Sequence, residues 1–438
     1  MNPIKGLFLI NAGSHVETIE CIINALEKIP ENTITDYLLI DFVGWRAWDA
    51  TRIPYTGSGI RRQLQPSDWN VDSSKLLNKD IHYLVYAAEE FLAREEINLL
   101  VAMTDTEYPN WAFFQAAKKR SLPSLLIQEG PRPRKIVNVF KFSENKEKEF
   151  HLVKTIISKY STLLTSYRQG SLGKKLAERI SRENRELLAL TYGDGGASAM
   201  AVPSDYYVEY YRAALKNCPL LKVTGIPRFD NLLESREKFI ERQGKEKSSA
   251  ENKRILIISQ PFWRYGELTQ EKHFENYRSI FVGLNNIVQE LSIEVVLRLH
   301  PSDQMQDICP FFENLRLQVT VQSSENPIYK VLPDFDLVIG CTSTVLIEAL
   351  IVGIPVISWQ RNMPSPGSFI SNLNILAVYD IEQLIQGVKE IFSTKQNNTS
   401  ESALVDEIGH LDGAASEKVA RLCLNLLKDN VLYNNRNA

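Results

Sequence analysis

The chain has 438 residues, 44% apolar and 24% charged, with a formal net charge of −3; this fits two or three globular domains and excludes a globally basic nucleic-acid binder. Its five cysteines (Cys21, Cys218, Cys309, Cys341, Cys423) are scattered with no CxxC pair, which argues against a disulfide framework or a zinc site and fits a reducing cytoplasm. No run approaches the roughly 18–20 apolar residues that span a bilayer, so any membrane contact is peripheral, and the run Gly6–Ile10 is too short for a signal peptide.

In chain order, "GLFLINAG" reads as a strand and "SHVETIECIINALEKI" as the amphipathic helix after it. Ser14 stands at the cap position and Glu17 three residues later, the spacing of a capping box. "DYLLIDFVG" is a strand, "KDIHYLVYAAEEFLAREE" a helix, "INLLVAMTD" a strand, "NWAFFQAAKKRS" a helix and "LPSLLIQEG" a strand. This βαβ rhythm predicts a mostly parallel sheet covered on both faces. Residues 143–192 break it with long polar, helix-favouring stretches, read as an inserted helical pair whose basic residues form a solvated face or meet an anionic lipid or polymer. "YGDGGASAMAVPSDYY" reads as a loop returning to the sheet, with no P-loop or GxGxxG match.

"LLKVTGIPRFDNLL" closes the first half, with Asp230 read as the cap of the helix that follows. "GKEKSSAENKR" is a polar linker or surface loop. The rhythm then restarts: "ILIISQP", "NYRSIFVGLNNIVQEL", "IEVVLRLHP", a helical turn "NPIYKVLPD", "FDLVIGC", "STVLIEALIVG", "IPVISW", "IEQLIQGVKEIFS", and a last helix "GAASEKVARLCLNLLKD". The expected organisation is an α/β protein of two Rossmann-like domains facing a cleft. Residues 1–225 form the first and 226–412 the second, with a C-terminal helix, 413–438, free to pack on either. In such sheets ligands bind beyond the carboxyl ends of the strands.

Five polar clusters fall at that edge: Glu129-Gly130, Gly225–Arg228, Gln260-Pro261, His300-Pro301 and Cys341–Thr344. Thr342, Ser343 and Thr344 open a helix, where free N–H groups and the helix dipole favour a phosphate; a plain N-cap is the simpler alternative. Glu348, further along that helix, reads as a ribose or base contact or as a solvated residue. His300 suits a phosphate or a leaving-group oxygen near pH 7, with Arg298 two residues back on the same strand face. The other five histidines, among them His15, have no comparable setting. Glu129 reads either as a general base or as the ion-pair partner of Arg132 or Arg134, and those arginines equally suit an anionic substrate group. Asp105 and Glu107, in "MTDTEYP", are spaced like a metal-binding DxD but are read as hydroxyl binders or caps, with no metal expected.

The set "QEG" (128–130), "HP" (300–301) and "TST" (342–344) resembles the motifs of bacterial sialyltransferases, polysialyltransferases and Kdo transferases, which share the GT-B fold. "VTGIPRFD" and "DLVIGCTSTVLIEALIVGIPVI" also look like CDP-glycerol glycerophosphotransferases and UDP-GlcNAc 2-epimerases, which share it too. The first resemblance implies Glu129 as general base, His300 at the donor phosphate, and Ser343 and Thr344 holding the phosphate of CMP. Gln128 departs from the motif's acidic residue, which leaves inversion or retention open. A retaining enzyme would need a carboxylate nucleophile, with Asp105, Glu129 and Asp205 as candidates.

The resulting expectation is a cytoplasmic glycosyltransferase of bacterial surface polysaccharide, with room for peripheral membrane contact. It transfers a sugar, in the first instance an acidic one from a CMP donor, to a glycan or lipid-linked glycan acceptor. The donor site comprises Gln260, Arg298, His300, Thr342, Ser343, Thr344 and Glu348. Glu129, His300 and Asp105 are the catalytic candidates, and Glu107, Arg132, Arg134 and Arg228 contact acceptor or sugar. No cofactor is expected, since the nucleotide-sugar is a substrate, and no nucleic acid. The alternatives are polyol-phosphate transfer from a CDP donor, a UDP-GlcNAc 2-epimerase-like isomerase, and a non-catalytic glycan-binding module.

Overall fold

The computed structural model describes residues 4–42, 62–64, 69, 81–131, 192–215, 217–245, 252–263, 268–300, 303, 308, 315–323, 326–363, 368–394 and 401–437. Its first half runs β1 (Ile4–Ile10), α1 (Gly13–Lys28), β2 (Ile34–Asp41), β3 (Arg62–Leu64), α2 (Ile81–Arg94), β4 (Ile97–Ala102), α3 (Tyr108–Lys119), β5 (Ser124–Ile127), β6 (Ala199–Val202), α4 (Asp205–Ala214) and β7 (Leu220–Val223). These strands form one seven-stranded sheet in the order β3-β2-β1-β4-β5-β6-β7, parallel throughout. The glycine-rich stretch read as a loop contains β6. The expected helical pair at 143–192 lies, apart from Tyr192, outside the described residues.

A short 3-10 turn, Pro227–Asp230, leads to the second half. It contains α5 (Asn231–Lys245), β8 (Lys253–Ile258), α6 (Gln270–Leu291), β9 (Ile293–Arg298), β10 (Val319–Gln322), α7 (Ile328–Val331), β11 (Leu337–Gly340), α8 (Val345–Val352), β12 (Val356–Trp359), α9 (Ser368–Asn372), β13 (Leu376–Val378), α10 (Ile381–Thr394) and α11 (Glu401–Ile408). The second sheet has the order β10-β9-β8-β11-β12-β13, again all parallel. Both are doubly wound sheets whose order reverses beside the first strand of each, between β1 and β4 and between β8 and β11.

Each central strand is apolar on both faces because helices cover both. In β1, Leu7 and Leu9 enter one core, and Phe8 and Ile10 the other. In β8, Leu256 and Ile258 face one side, and Ile255 and Ile257 the opposite one. The last helix, α12 (Ala415–Asn437), packs along α1. Its Val419, Ala420, Cys423, Leu424 and Leu427 enter the same core as Phe8, Ile19 and Ile22.

The chain therefore passes between the halves twice, near Gly225–Pro227 and near Gly409–Ala415. The two crossings touch. Gly409 has φ +82°, and a Cβ there would lie 2.1 Å from the Pro203 carbonyl oxygen and 3.4 Å from the Gly225 Cα. Asp230 does not cap α5, contrary to the sequence reading. Its carboxylate accepts from the Ala415 N–H (3.2 Å), the Ser416 N–H (2.8 Å) and the Ser416 hydroxyl (2.6 Å), so it caps α12. The free amides of α12 are close enough to outcompete those of α5 for the carboxylate.

Gly409→Ala combines a backbone clash with a left-handed φ. It should destabilise the protein by at least about 2 kcal/mol, read by chemical denaturation. Unfolding at the wild-type midpoint would show that the crossings yield without cost.

Candidate functional site

At the second sheet's carboxyl edge, Gln260 follows β8 and spans the reversal between β8 and β11. Its side chain accepts from the Thr342 N–H at 2.8 Å and donates to the Thr342 hydroxyl at 3.3 Å. Its backbone N–H donates to the Tyr277 hydroxyl at 2.7 Å. Beyond β9, the His300 N–H donates to Ser259 Oγ (2.6 Å), which donates to Asp303 Oδ2 (2.5 Å), and the Asp303 N–H returns to the His300 carbonyl (2.8 Å). This knot fixes the turn that carries the imidazole. Burial pushes the His300 pKa below its ordinary value, opposed by the Asp303 charge. At neutral pH the ring is therefore neutral, a single N–H donor rather than a cation. β9 and β11 flank β8, so the turns that carry His300 and Thr342 leave the sheet on either side of Gln260.

α8 begins at Val345 with Thr344 at the cap position and no side-chain cap bond. Ser343 Oγ instead accepts from the Val345 N–H at 3.3 Å. Thr344 is exposed. A Cβ on Gly130 would lie 3.8 Å from Thr344 Cγ2, so the edges of the two sheets meet here.

The first half brings a dense polar cluster to the same crevice. Glu129 follows β5 and is held from four directions. Oε2 accepts from the Ser14 hydroxyl (3.0 Å) and faces His15 Nε2 (3.4 Å); Oε1 accepts from the Thr18 hydroxyl (2.6 Å) and faces Arg228 Nε (3.7 Å). His15 Nδ1 accepts the Asn11 N–H at 3.1 Å, which leaves the ring hydrogen on Nε2, toward Glu129. Gln128, fully buried, donates to the Gly130 carbonyl at 2.8 Å and closes the turn under Glu129.

Arg228, 5% exposed, is the hub. It hydrogen-bonds Glu348 through Nη1, faces Glu129 through Nε, and lies over the Phe229 ring at 4.6 Å. Burial disfavours its charge, but the Glu348 and Glu129 carboxylates outweigh that and hold its pKa above the ordinary value. Arg228, placed by the sequence reading among the acceptor or sugar contacts, is a buried counter-ion to Glu348 and Glu129. Glu348 is buried and paired, not a solvated helix residue. Arg298 donates to the Asn326 carbonyl and feels the Glu348 charge.

Glu17, one turn along α1 from His15, differs from its neighbours. Among the described residues its hydrogen-bond partner is the Asn231 amide, at 3.3 Å. Burial pushes its pKa up to about 7; Arg228 pulls the other way, and the Glu348 and Glu129 charges add to the rise. Asn231 also reaches Cys21 Sγ at 3.4 Å, and burial and the Glu17 charge push that thiol up to about 12.

Other expected site residues lie elsewhere or serve other ends. Asp105 is fully buried, and its carboxylate accepts from the N–H of Gly193 (2.9 and 3.1 Å) and of Gly195 (2.8 Å). A Cβ on Gly195 would sit 2.7 Å from it, so the pair locks the glycine loop to the end of β4. The carboxylate thereby anchors the loop. Glu107 stands at the cap of α3 without a cap bond, and Asp205 is exposed at the start of α4. Arg132 and Arg134 lie outside the described residues, so the anion pairing with Glu129 that is on view comes from Arg228. Among the described residues no His, Cys, Asp and Glu group is placed to hold a metal ion, and no helix is long and apolar enough to cross a membrane.

Sequence reasoning passed over Ser14, His15, Glu17 and Thr18. Ser14 and Glu17 form no capping box: α1 starts at Gly13 without a side-chain cap, Ser14 reaches Glu129 at the end of β5, and Glu17 meets Asn231 at the start of α5. The available signal was the strand-end rule itself, applied to β1, the strand beside the reversal of the first sheet.

A family model described as UDP-N-acetylglucosamine 2-epimerase matches residues 207–424. No curated protein matches the chain. Among solved structures, the UDP-GlcNAc 2-epimerase of Neisseria meningitidis bound to UDP-GlcNAc is 14% identical, with a TM-score of 0.56 over 96% of this chain and 100% of that one. The enzyme of the same name from Methanocaldococcus jannaschii is 16% identical, with a TM-score of 0.56 over 96% and 99%. A variant of the wall teichoic acid polymerase TagF is 15% identical, with a TM-score of 0.56 over 98% and 90%. The likeness is one of fold, two Rossmann-like sheets in the GT-B arrangement.

Two outcomes check the charge cluster. Arg228→Met leaves buried carboxylates without their cation and should destabilise the fold by about 3–5 kcal/mol in denaturant melts. Glu17 ionises near 7 when folded and in the ordinary carboxylate range when unfolded, so the folded state binds the proton more tightly and loses stability as pH rises through that window. Glu17→Gln should therefore melt a few degrees above wild type at pH 8 and together with it at pH 4.5; equal melting at both would remove the burial argument.

Proposed function

We propose that the protein acts on a UDP-activated N-acetylhexosamine and inverts its carbon 2, as a 2-epimerase of the UDP-GlcNAc type. The observation that carries the reading is the family match over residues 207–424, a span that includes Gln260, His300, Thr342, Ser343, Thr344 and Glu348. The diphosphate lies at the β8/β11 reversal, against the α8 N-terminus and the neutral imidazole of His300. The sugar points to the first half, where α1 and Glu129 line the crevice. Breaking the anomeric bond to a nucleotide puts charge on the departing phosphate, and fixed N–H donors there stabilise it.

A neutral sugar suits this lining better than an acidic one. Arg228 is engaged by Glu348 and Glu129, and Arg298 by the Asn326 carbonyl and the Glu348 charge. Among the described residues a sugar carboxylate would meet Glu17, Glu129 and Glu348, with Arg228 and Arg298 already engaged. The transfer reading retains one specific support, the fold likeness to TagF. Under it the same cleft passes a sugar or polyol phosphate to a glycan acceptor.

The test is a donor panel without acceptor: UDP-GlcNAc, a CMP-sugar and a CDP-polyol, followed by NMR, with thermal shifts for UDP, CMP and CDP. Isomerisation of UDP-GlcNAc alone, and a UDP-dependent rise in melting temperature, are expected. Activity confined to CMP-sugar or CDP-polyol with a glycan acceptor would overturn the epimerase reading. His300→Ala should cut turnover by about 100-fold or more; wild-type turnover would remove His300 from the phosphate site.

A further inference from the structure

Inverting a carbon that carries hydrogen requires its proton to leave from one face and return to the other. Among the described residues, Glu129 and Glu17 are the carboxyls of the first half that face such work, and their surroundings differ. Glu129 has two hydroxyl donors within 3.0 Å, with His15 Nε2 and Arg228 Nε at 3.4 and 3.7 Å, shared between its two oxygens. With both oxygens engaged by neighbouring donors, Glu129 has little room to meet a proton on a bound sugar. Its position is also fixed, because α1 supplies three of the four groups. Glu17 has one amide partner at 3.3 Å, from Asn231, and is partly exposed.

From this contrast we propose that Glu17, not Glu129, is the carboxyl that exchanges a proton with the bound sugar, Glu129 remaining the fixed group that orients α1 and Arg228. The assignment rests on the functional reading above. As carboxylate, Glu17 takes the carbon 2 proton from one face; the C–H electron pair forms a double bond to carbon 1, and the C1–O bond breaks with its pair leaving on UDP. Return of UDP to carbon 1 and of a solvent-derived proton to the other face of carbon 2 gives the epimer, and in the opposite direction the acid form of Glu17 gives its proton back to its own face.

The groups around it fit both forms. Arg228 stabilises the anion, while Glu348, Glu129 and burial favour the acid. Cys21, on the next turn, stays a thiol, and Tyr329, whose pKa burial and the Glu17 charge both raise, stays a phenol. With its own pKa near 7, Glu17 is populated in both states at neutral pH, the condition under which one carboxyl serves both directions of a reversible proton transfer.

The experiment follows kcat, KM and deuterium exchange at carbon 2 of UDP-GlcNAc in heavy water for wild type, Glu17→Gln, Glu17→Asp and Glu129→Gln, across pH 5–9. Isothermal titration with UDP runs alongside. Glu17→Gln should lose about 100-fold or more in kcat, bind UDP within about threefold of wild type, and lose the limb of the pH profile near 7. Glu17→Asp, which keeps a carboxyl, should keep that limb. If Glu17→Gln exchanges deuterium at the wild-type rate, or keeps the limb while Glu129→Gln loses it, the assignment to Glu17 is overturned and the functional reading stands. If wild type binds UDP yet leaves UDP-GlcNAc unchanged and unlabelled, the functional reading falls and the assignment with it.

Discussion

The structure depends on one buried guanidinium. Arg228 sits in the 3-10 turn that joins the two halves, and the groups around it come from both. Glu129 follows β5 of the first sheet, Glu348 lies on α8 of the second, and Glu17 approaches from α1. Taking an arginine out of water carries a large solvation penalty, offset only when the geometry supplies opposite charge from several sides. The arrangement therefore fixes more than a contact. It ties the position of α1, the end of β5 and the first turns of α8 to a single point, and those are the segments that line the crevice. A shift of either half alone would leave charge uncompensated in a dry setting.

α1 shows how tertiary demands override local ones. Its first turn has side chains well suited to satisfy its own free amides, yet Ser14 donates to Glu129 and Glu17 turns to Asn231. The helix thereby forgoes a stabilisation of about 1 kcal/mol. In exchange, one face of its first two turns presents a hydroxyl, an imidazole, a carboxyl and a second hydroxyl to the other elements. Departures of this sort from local preference are expected where a surface is shaped for a ligand rather than for stability.

The two-sheet architecture was legible because its signal is repetitive. Apolar strands of four to eight residues alternating with amphipathic helices permit few topologies, and parallel strands put every strand end at one edge. That rule located Glu129, Gln260, His300 and Thr342–Thr344 at strand ends. The short strands β3, β10 and β13 gave too little pattern to read. The role of Arg228 was hidden by distance along the chain, since its partner Glu348 is 120 residues away and nothing local marks the pair. Ser14 and Glu17 were missed for the opposite reason: a sufficient local explanation was at hand. Asp105 matched a strand-end carboxylate in every respect but burial, which only the packing of the glycine loop determines.

The first half borrows part of its core from the far end of the chain. Val419, Ala420 and Cys423 of α12 are fully buried against Phe8, Ile19 and Ile22. During synthesis the amino-terminal sheet can assemble its strands early, but the part of one face that α1 does not cover stays open until residues beyond 415 emerge from the ribosome. Completion of that lobe is a late event, and a truncated nascent chain exposes a greasy surface to chaperones for as long as translation continues.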